Sequence, residues 1–322
     1  MGIYAVTGGA GFIGSHLADA LLAAGHQVRV VDDFSTGRMT NLDPRCEVIR
    51  GDVCDSALLH RALDGVAGCF HLAAIASVAR ANEDWAGTHR VNQSGTIAVL
   101  DAARTAGQTQ GRRAAPLPVI YASSAAIYGS AAGVCMETSP PLPRTAYGAD
   151  KLGSELHAHV GHIVHGVSSI GFRFFNVYGP RQDPASPYSG VISIFARAIG
   201  AGSTLTLHGT GEQTRDFVYV SDVVAHLMAG MSVLHHEPAY HVLNVCTGRE
   251  TSLLELIETL SSLAGRRGHI VSGPARAGDI ARSVGSPARA TAVLKLRAQT
   301  PLADGLRRTL SGVSSALAFE RA

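Results

Sequence analysis

Little in this sequence is charged. Of its 322 residues only 16% are Asp, Glu, Lys or Arg, and the 27 basic and 25 acidic side chains leave a formal net charge of +2. A balance so close to neutral argues against nucleic acid or an anionic membrane as partner. Tryptophan occurs once, at Trp85, and cysteine five times, an odd number with no C-x-x-C spacing. That excludes a disulfide framework and a cysteine zinc site, and it suits a reducing compartment. No run of about 18 apolar residues exists, and no basic segment precedes an apolar one, so neither a spanning helix nor a leader is expected. The sequence opens directly into a strand pattern, and the expectation is a soluble, cytoplasmic protein. Disorder is excluded by the 46% hydrophobic content, which supplies a sizeable core.

What is present alternates. Ile3–Thr7 is a short β-prone run leading into Gly8-Gly9-Ala10-Gly11-Phe12-Ile13-Gly14, a GxxGxxG turn. Ser15–Ala24 has helical composition, Gly25 stops it, and Val28–Val31 is the next strand, ending at Asp32. Such a strand, glycine turn, helix and strand bring backbone and a helix N-terminus up to a pyrophosphate. Asp32 lies 21 residues after Gly11, where a carboxylate can accept from ribose hydroxyls and would repel a 2′-phosphate, favouring NAD over NADP. Further strands are expected at Glu47–Arg50, Gly68–Leu72, Leu117–Tyr121 and Val167–Phe175. Helices are expected at Ser56–Leu63, from Asn92 to Gly107 and over Tyr147–His165, with 107–116 a loop. The pattern predicts an α/β fold, a Rossmann-type doubly wound parallel sheet. After Asn176 loops rich in Pro, Ser and Gly separate helices near Val191–Ile199, Ser221–Met231 and Ser252–Ala264. A smaller C-terminal substrate-binding domain, 176–322, is therefore expected beside a dinucleotide-binding domain, 1–175, with the chain free to cross back.

Tyr147 and Lys151 are four apart on the expected helix, so phenol and ammonium share a face. A cation beside a phenol favours the phenolate and lowers its pKa from about 10, making it usable as a general base. His157, His159, His162 and His165 crowd the same helix, but no acid or cysteine pattern accompanies them and no metal site is expected. His235-His236 reads as loop and Trp85 as a packing residue.

These motifs resemble, in order and over almost the whole chain, the extended short-chain dehydrogenases/reductases, above all the UDP-hexose 4-epimerases. The resemblance rests on Thr7–Leu17, Gly51-Asp52-Val53, His71–Ala74, Asn92 with Gly95-Thr96, Ser123-Ser124, and Tyr147 with Lys151. Later come Arg173–Arg181, Arg215–Val220 and Arg276-Ala277-Gly278-Asp279. It implies that Gly8, Gly11, Phe12 and Ile13 hold the pyrophosphate of NAD, with Asp32, Asp33, Thr36 and Gly37 at the adenosine ribose. Asp52 and Val53 would meet the adenine, while Leu72, Ala73, Ala74, Asn92 and Phe174 line the rest. It implies Tyr147 as base, Lys151 at the nicotinamide ribose, and Ser124 at the sugar's O4. Asn176, Val191, His208, Arg215, Arg276 and Asp279 would grip a UDP-sugar; an arginine fork suits a diphosphate.

The activity so implied is inversion at C4 by transient oxidation, rotation of a 4-keto sugar and re-reduction, in a homodimer built on the helices at 92–106 and 147–165. Ala122 departs from the Ser or Thr of many members. Rival activities of the same branch are a 4,6-dehydratase, which would need an Asp-Glu pair, and a uronate decarboxylase, which would need a Glu. Ala125 and Ala126 stand at those places. A uronate epimerase is disfavoured by Asp183, where such enzymes resemble one another in an arginine. A non-catalytic NAD-binding sensor is the alternative outside enzymes. Ser283, seven residues after Arg276, stands where related epimerases place a pocket wall; its small size implies room for an N-acetyl group. Gln182-Asp183-Pro184 and Ser186–Gly190 resemble epimerases that accept such sugars.

Overall fold

A computed structural model describes residues 1–106, 115–131, 133–183, 190–274 and 280–319. Six strands and six helices build its first half. The strands are β1 (Ile3–Thr7), β2 (Gln27–Asp32), β3 (Glu47–Arg50), β4 (Gly68–His71), β5 (Val119–Ser124) and β6 (Ser169–Phe174). The helices are α1 (Phe12–Ala23), α2 (Ser56–Leu63), the short α3 (Val78–Glu83) and α4 (Trp85–His89), α5 (Gly95–Ala106) and α6 (Ala146–His165). A seventh strand, Tyr240–Val245, arrives from far down the chain and pairs with β6. The sheet order is Tyr240–Val245, β6, β5, β4, β1, β2, β3, with every pairing parallel. The order reverses between β1 and β4, so the crevice for a ligand opens outside their carboxyl ends.

Both faces of the sheet are covered at its centre, so β4, β5 and β6 are buried along nearly their whole length. Side chains alternate: Val119 and Tyr121 join Leu59, Val99, Ala103 and Ala158 under α2, α5 and α6. Ile120, between them, joins Leu17, Leu21, Phe172, Leu227 and Met231 on the opposite face. That face is roofed by α1 and by the helix Val220–His236. His235 and His236, expected in a loop, form its last turn.

A second core gathers Ile192, Phe195, Ile199, Leu205, Phe217, Leu256, Leu260 and Leu306. They come from helices Val191–Ala201, Leu253–Ala264 and Leu302–Phe319 and from short strands. Thr214–Arg215 lies centrally between Thr251–Ser252 and Arg282–Ser283. Asp216 fastens this region: its buried carboxylate accepts from Thr247 N and Oγ1 at 2.8 and 2.7 Å, Gly248 N at 2.9 Å and Gly285 N at 3.3 Å.

The helix expected from Asn92 begins as a π-turn, Arg90–Ser94, and becomes α-helical at Gly95. Trp85, expected to pack, is 71% exposed. The expected loop 107–116 falls largely outside the described residues. No helix among the described residues is long and apolar enough to cross a membrane.

The turn between β1 and α1 leaves no space for side chains. Gly8 has φ 69°, and a Cβ at Gly14 would lie 2.2 Å from Gly8 O. Gly14→Ala is expected to destabilise the fold by about 1–3 kcal/mol, as overpacking does, read as a lower denaturant midpoint with an unchanged slope.

Candidate active site

The carboxyl ends of β1, β2 and β4 form the cofactor side. A Cβ at Gly8 would meet Ala73 N at 2.6 Å, so the β1 turn and the Leu72–Ala74 segment touch backbone to backbone. Gly11 begins α1 and carries no capping side chain. The first amides of the helix, those of Phe12 and Ile13 among them, are thereby left for an anion. Asp32 is buried and accepts from Ala10 N and Phe34 N, each at 2.9 Å. Burial raises its pKa while those two amide bonds oppose the rise. Each oxygen keeps a second lone pair, enough to take ribose hydroxyls. Gly37 lies against it, since a Cβ there would be 2.8 Å from Asp32 Oδ1. Asp33 holds Ser35 and Thr36 is exposed. A dinucleotide fits this cradle: a tight glycine turn, an uncapped helix start and a carboxylate at the next strand end.

Further along, Asp52 accepts from Cys54 N at 2.8 Å and pairs with Arg90 at 2.6 Å. Val53 packs inward with Val31, Leu58 and Ala62. Leu72 N donates to Thr7 O at 3.0 Å and Ala73 N to Thr7 Oγ1 at 3.3 Å. Asn92 is fully buried and grips the backbone of Ile75, accepting from its N at 2.8 Å and donating to its O at 3.1 Å. It therefore shapes the segment lining the crevice. Phe174 ends β6, stacked on Phe172.

The catalytic candidates meet where α6 crosses the end of β5. Thr145 caps the helix by accepting from Gly148 N at 3.0 Å. Lys151 is buried and donates from Nζ to Ala122 O at 2.9 Å. The Ala122 carbonyl makes this contact, so the missing hydroxyl at that position costs it nothing. Ser124 accepts from Ala126 N at 3.1 Å, and its hydroxyl favours the Tyr147 phenolate.

The expected fall in the tyrosine pKa is not what this arrangement gives. Although Tyr147 is only partly buried as a residue, desolvation raises its pKa, and the Ser124 hydroxyl opposes that. Burial also lowers Lys151 to about 8, with Asp150 opposing. The ammonium is turned to the Ala122 carbonyl and sits 5.8 Å from the phenol ring centroid. Removing water penalises both charged forms, and here it outweighs their mutual attraction.

On the substrate side, Arg215 Nη1 donates to Thr214 O at 2.8 Å and to Ile280 O at 2.6 Å. Ser283 is its register partner on the adjoining strand. Arg276 and Asp279 lie outside the described residues, as do 184–189. The segment 275–279 is bracketed: Arg215 binds Ile280 after it, and His208 Nδ1 lies 3.0 Å from Pro274 O before it. Asn176 N donates to Asp216 O at 3.0 Å, and Val191 opens the helix Val191–Ala201 behind Gly190. Asp183 pairs with Arg38, from the loop after β2, at 2.6 Å.

Three buried polar groups were given no role from the sequence, although His71 and Arg173 stand within its motifs. His71 bridges Thr7 Oγ1 at 2.7 Å and Thr96 Oγ1 at 3.1 Å. Burial, then the Lys151 charge, push its pKa down to about 3, so it is neutral. Glu155, one turn beyond Lys151, forms a buried ion pair with Arg173. The signal available was a polar residue inside an apolar strand or on a core-facing turn.

With this geometry in place, comparison with known proteins adds the family. A model of the NAD dependent epimerase/dehydratase family matches residues 4–246. A UDP-glucose 4-epimerase of Mycolicibacterium smegmatis is 36% identical over 314 residues, 95% of this chain and 96% of that protein. The structure of a Thermotoga maritima UDP-glucose 4-epimerase with UDP-glucose superposes with a TM-score of 0.91 at 32% identity, covering 98% of this chain and 99% of that one. A Thermus thermophilus UDP-glucose 4-epimerase in complex with NAD gives 0.87 at 34% identity, with coverage of 98% and 99%. Relatives also include UDP-glucuronic acid decarboxylases. The chain belongs to the NAD dependent epimerase/dehydratase family, and it is an enzyme that uses NAD.

Proposed function

We propose that the protein is a UDP-hexose 4-epimerase, interconverting UDP-glucose and UDP-galactose and also UDP-GlcNAc and UDP-GalNAc. One observation carries this reading. Beside Tyr147 and Lys151, which share a face of α6, the turn that follows Ser124, Ala125–Tyr128, begins with two alanines and offers no carboxylate. A dehydratase or decarboxylase of this branch would need an acid there. Tyr147 takes the proton of the sugar's 4-hydroxyl through Ser124 and later returns it. Lys151 keeps a positive charge behind the phenol below about pH 8. NAD, held by Gly8, Gly11, Phe12, Ile13, Asp32 and their neighbours, supplies a reversible acceptor for the C4 hydrogen. Asn176, Val191, His208, Arg215, Arg276 and Asp279 hold the UDP part while the sugar turns.

In this reading residues 1–175 serve NAD and 176–322 mainly the UDP-sugar, although 220–245 return to cover and extend the sheet. A cytoplasmic setting is favoured by five free cysteines. A homodimer is favoured by the outer face of α6, where Leu156, Val160, Ile163 and Val164 are 60%, 46%, 64% and 63% exposed. Their spacing makes one apolar stripe, which a second copy would bury. Light scattering should return a dimer for the natural chain and a monomer for Ile163→Glu; a monomeric natural chain would sink this.

Proton transfer by a positioned base is worth about 10²–10⁴-fold. Tyr147→Phe should therefore lose that much turnover with NAD still bound, and near-full turnover would overturn the assignment.

Product analysis by NMR over a panel of UDP-sugars tests the substrate. The expected result is 4-epimer mixtures of plain and N-acetylated hexoses, and a 4-keto-6-deoxy product would refute an epimerase. Ser283→Tyr should abolish turnover of the N-acetylated pair by overfilling the wall and spare the plain pair. Equal effects on both would remove Ser283 from the pocket.

A further inference from the structure

We propose that Glu155 and Arg173 are a positioning pair that fixes the end of β5 against α6 and thereby sets where Ser124 stands relative to Tyr147. The inference rests on the reading of Tyr147 and Ser124 as the proton path. Its basis is a single rung of the sheet. Ser123 on β5 and Arg173 on β6 are register partners, and Ser124 pairs with Phe174 on the next rung. Glu155 reaches that rung from α6. Its Oε1 accepts from Ser123 Oγ at 2.6 Å and from Arg173 Nε at 2.9 Å, and its Oε2 accepts from Arg173 Nη2 at 2.7 Å.

Ser123, Glu155 and Arg173 are 2%, 4% and 5% exposed. Arg173 is held from its other side as well. Its Nη1 donates to Tyr128 Oη at 2.9 Å, and Tyr128 Oη donates to Asn244 Oδ1 at 2.6 Å on the neighbouring strand. The guanidinium also lies 4.9 Å from the Tyr128 ring centroid. A planar fork bound at two edges has little freedom to slide.

The other tie between α6 and β5 is looser. Lys151 Nζ on the Ala122 carbonyl is one bond from a four-carbon stem, and an ammonium accepts many orientations. Two successive turns of α6 thus bond the end of β5, Lys151 at Ala122 and Glu155 at Ser123, and Tyr147 lies one turn before them. Only the Glu155 contact is rigid and tied to a third element. Without it the serine pair can drift, and a displacement of about 1 Å at a reacting centre can cost about 10²-fold.

The groups facing the phenol and its lysine are Ser124 from β5, His71 from β4, Asp150 on α6 and His89, which pairs with Asp150 at 2.8 Å. None of these touches Glu155, so a change at the pair reaches Tyr147 through the placement of Ser124 and of α6 on the sheet. The Ser124 hydroxyl lowers the Tyr147 pKa. Loosening it raises that pKa, and the acid limb of activity, which needs the phenolate, moves to higher pH.

The experiment compares Ser123→Ala, Glu155→Gln and Tyr147→Phe holoenzymes by steady-state kinetics on a UDP-hexose, with pH profiles. Ser123→Ala deletes one hydroxyl and keeps the ion pair, so it guards against a Glu155 variant that fails to fold. Expected are kcat losses of about tenfold for Ser123→Ala and up to about 100-fold for Glu155→Gln. KM and bound NAD should stay unchanged, and the acid limb should shift upward in both. Two folded variants with natural kcat and an unmoved limb would overturn the positioning role. So would a loss confined to KM or NAD content. An active Tyr147→Phe would instead refute the proton path itself.

Discussion

Burying an ammonium and a carboxylate on consecutive turns of one helix is costly, and much of this structure exists to make it tolerable. Lys151 and Glu155 both face inward from α6. An isolated charge in such a place would be expelled or neutralised. Lys151 finds the Ala122 carbonyl, and its pKa still falls to about 8 under the burial. Glu155 finds a guanidinium in two-point contact and a serine hydroxyl. These contacts fix the depth and rotation of α6 on the sheet. The placement of Tyr147, one turn earlier, follows from them.

The same logic governs the second half of the molecule. Asp216 is fully buried and, among the described residues, pairs with no cation; it accepts four bonds from Thr247, Gly248 and Gly285 instead. Those residues belong to loops on either side of the small sheet containing Arg215 and Ser283. The substrate-side candidates are thus tied to the sheet's edge strand, Tyr240–Val245, by the carboxylate neighbouring Arg215. Arg215 itself braces the Ile280 end of the segment carrying Arg276 and Asp279. A guanidinium committed to two carbonyls through Nη1 has its orientation set by them.

Much of the fold was legible in the sequence. The strands β1 and β3 and the helix α2 have the bounds that composition alone suggests, because turn residues punctuate them and their apolar periodicity is unbroken. The parallel sheet follows from strands alternating with helices. α6 ends at His165 as expected, whereas α1 begins at Phe12, three residues before the expected Ser15, because the chain turns into the helix directly after Gly11. The candidate site was legible because its residues sit in compact motifs at strand ends. What stayed hidden was non-local. Nothing within Tyr240–Val245 says that it completes a sheet begun at Ile3, and nothing around Ala288–Leu294 or Leu302–Phe319 distinguishes a helix from a loop until a second core forms beneath them.

The sequence by itself determined the glycine turn, the acid at the end of β2, and the spacing that sets a phenol and an ammonium on one helical face. Local geometry suffices for each. Only the tertiary structure decided the electrostatics of that face. Spacing suggested that Lys151 would pull the tyrosine pKa down. Packing turned the ammonium toward a carbonyl, dried the site and left Ser124 as the group that favours the phenolate. The partner of Glu155 is likewise 18 residues away on another element. A pKa and an ion pair depend on what surrounds a group in three dimensions, and the chain specifies that only once its distant parts have closed around it.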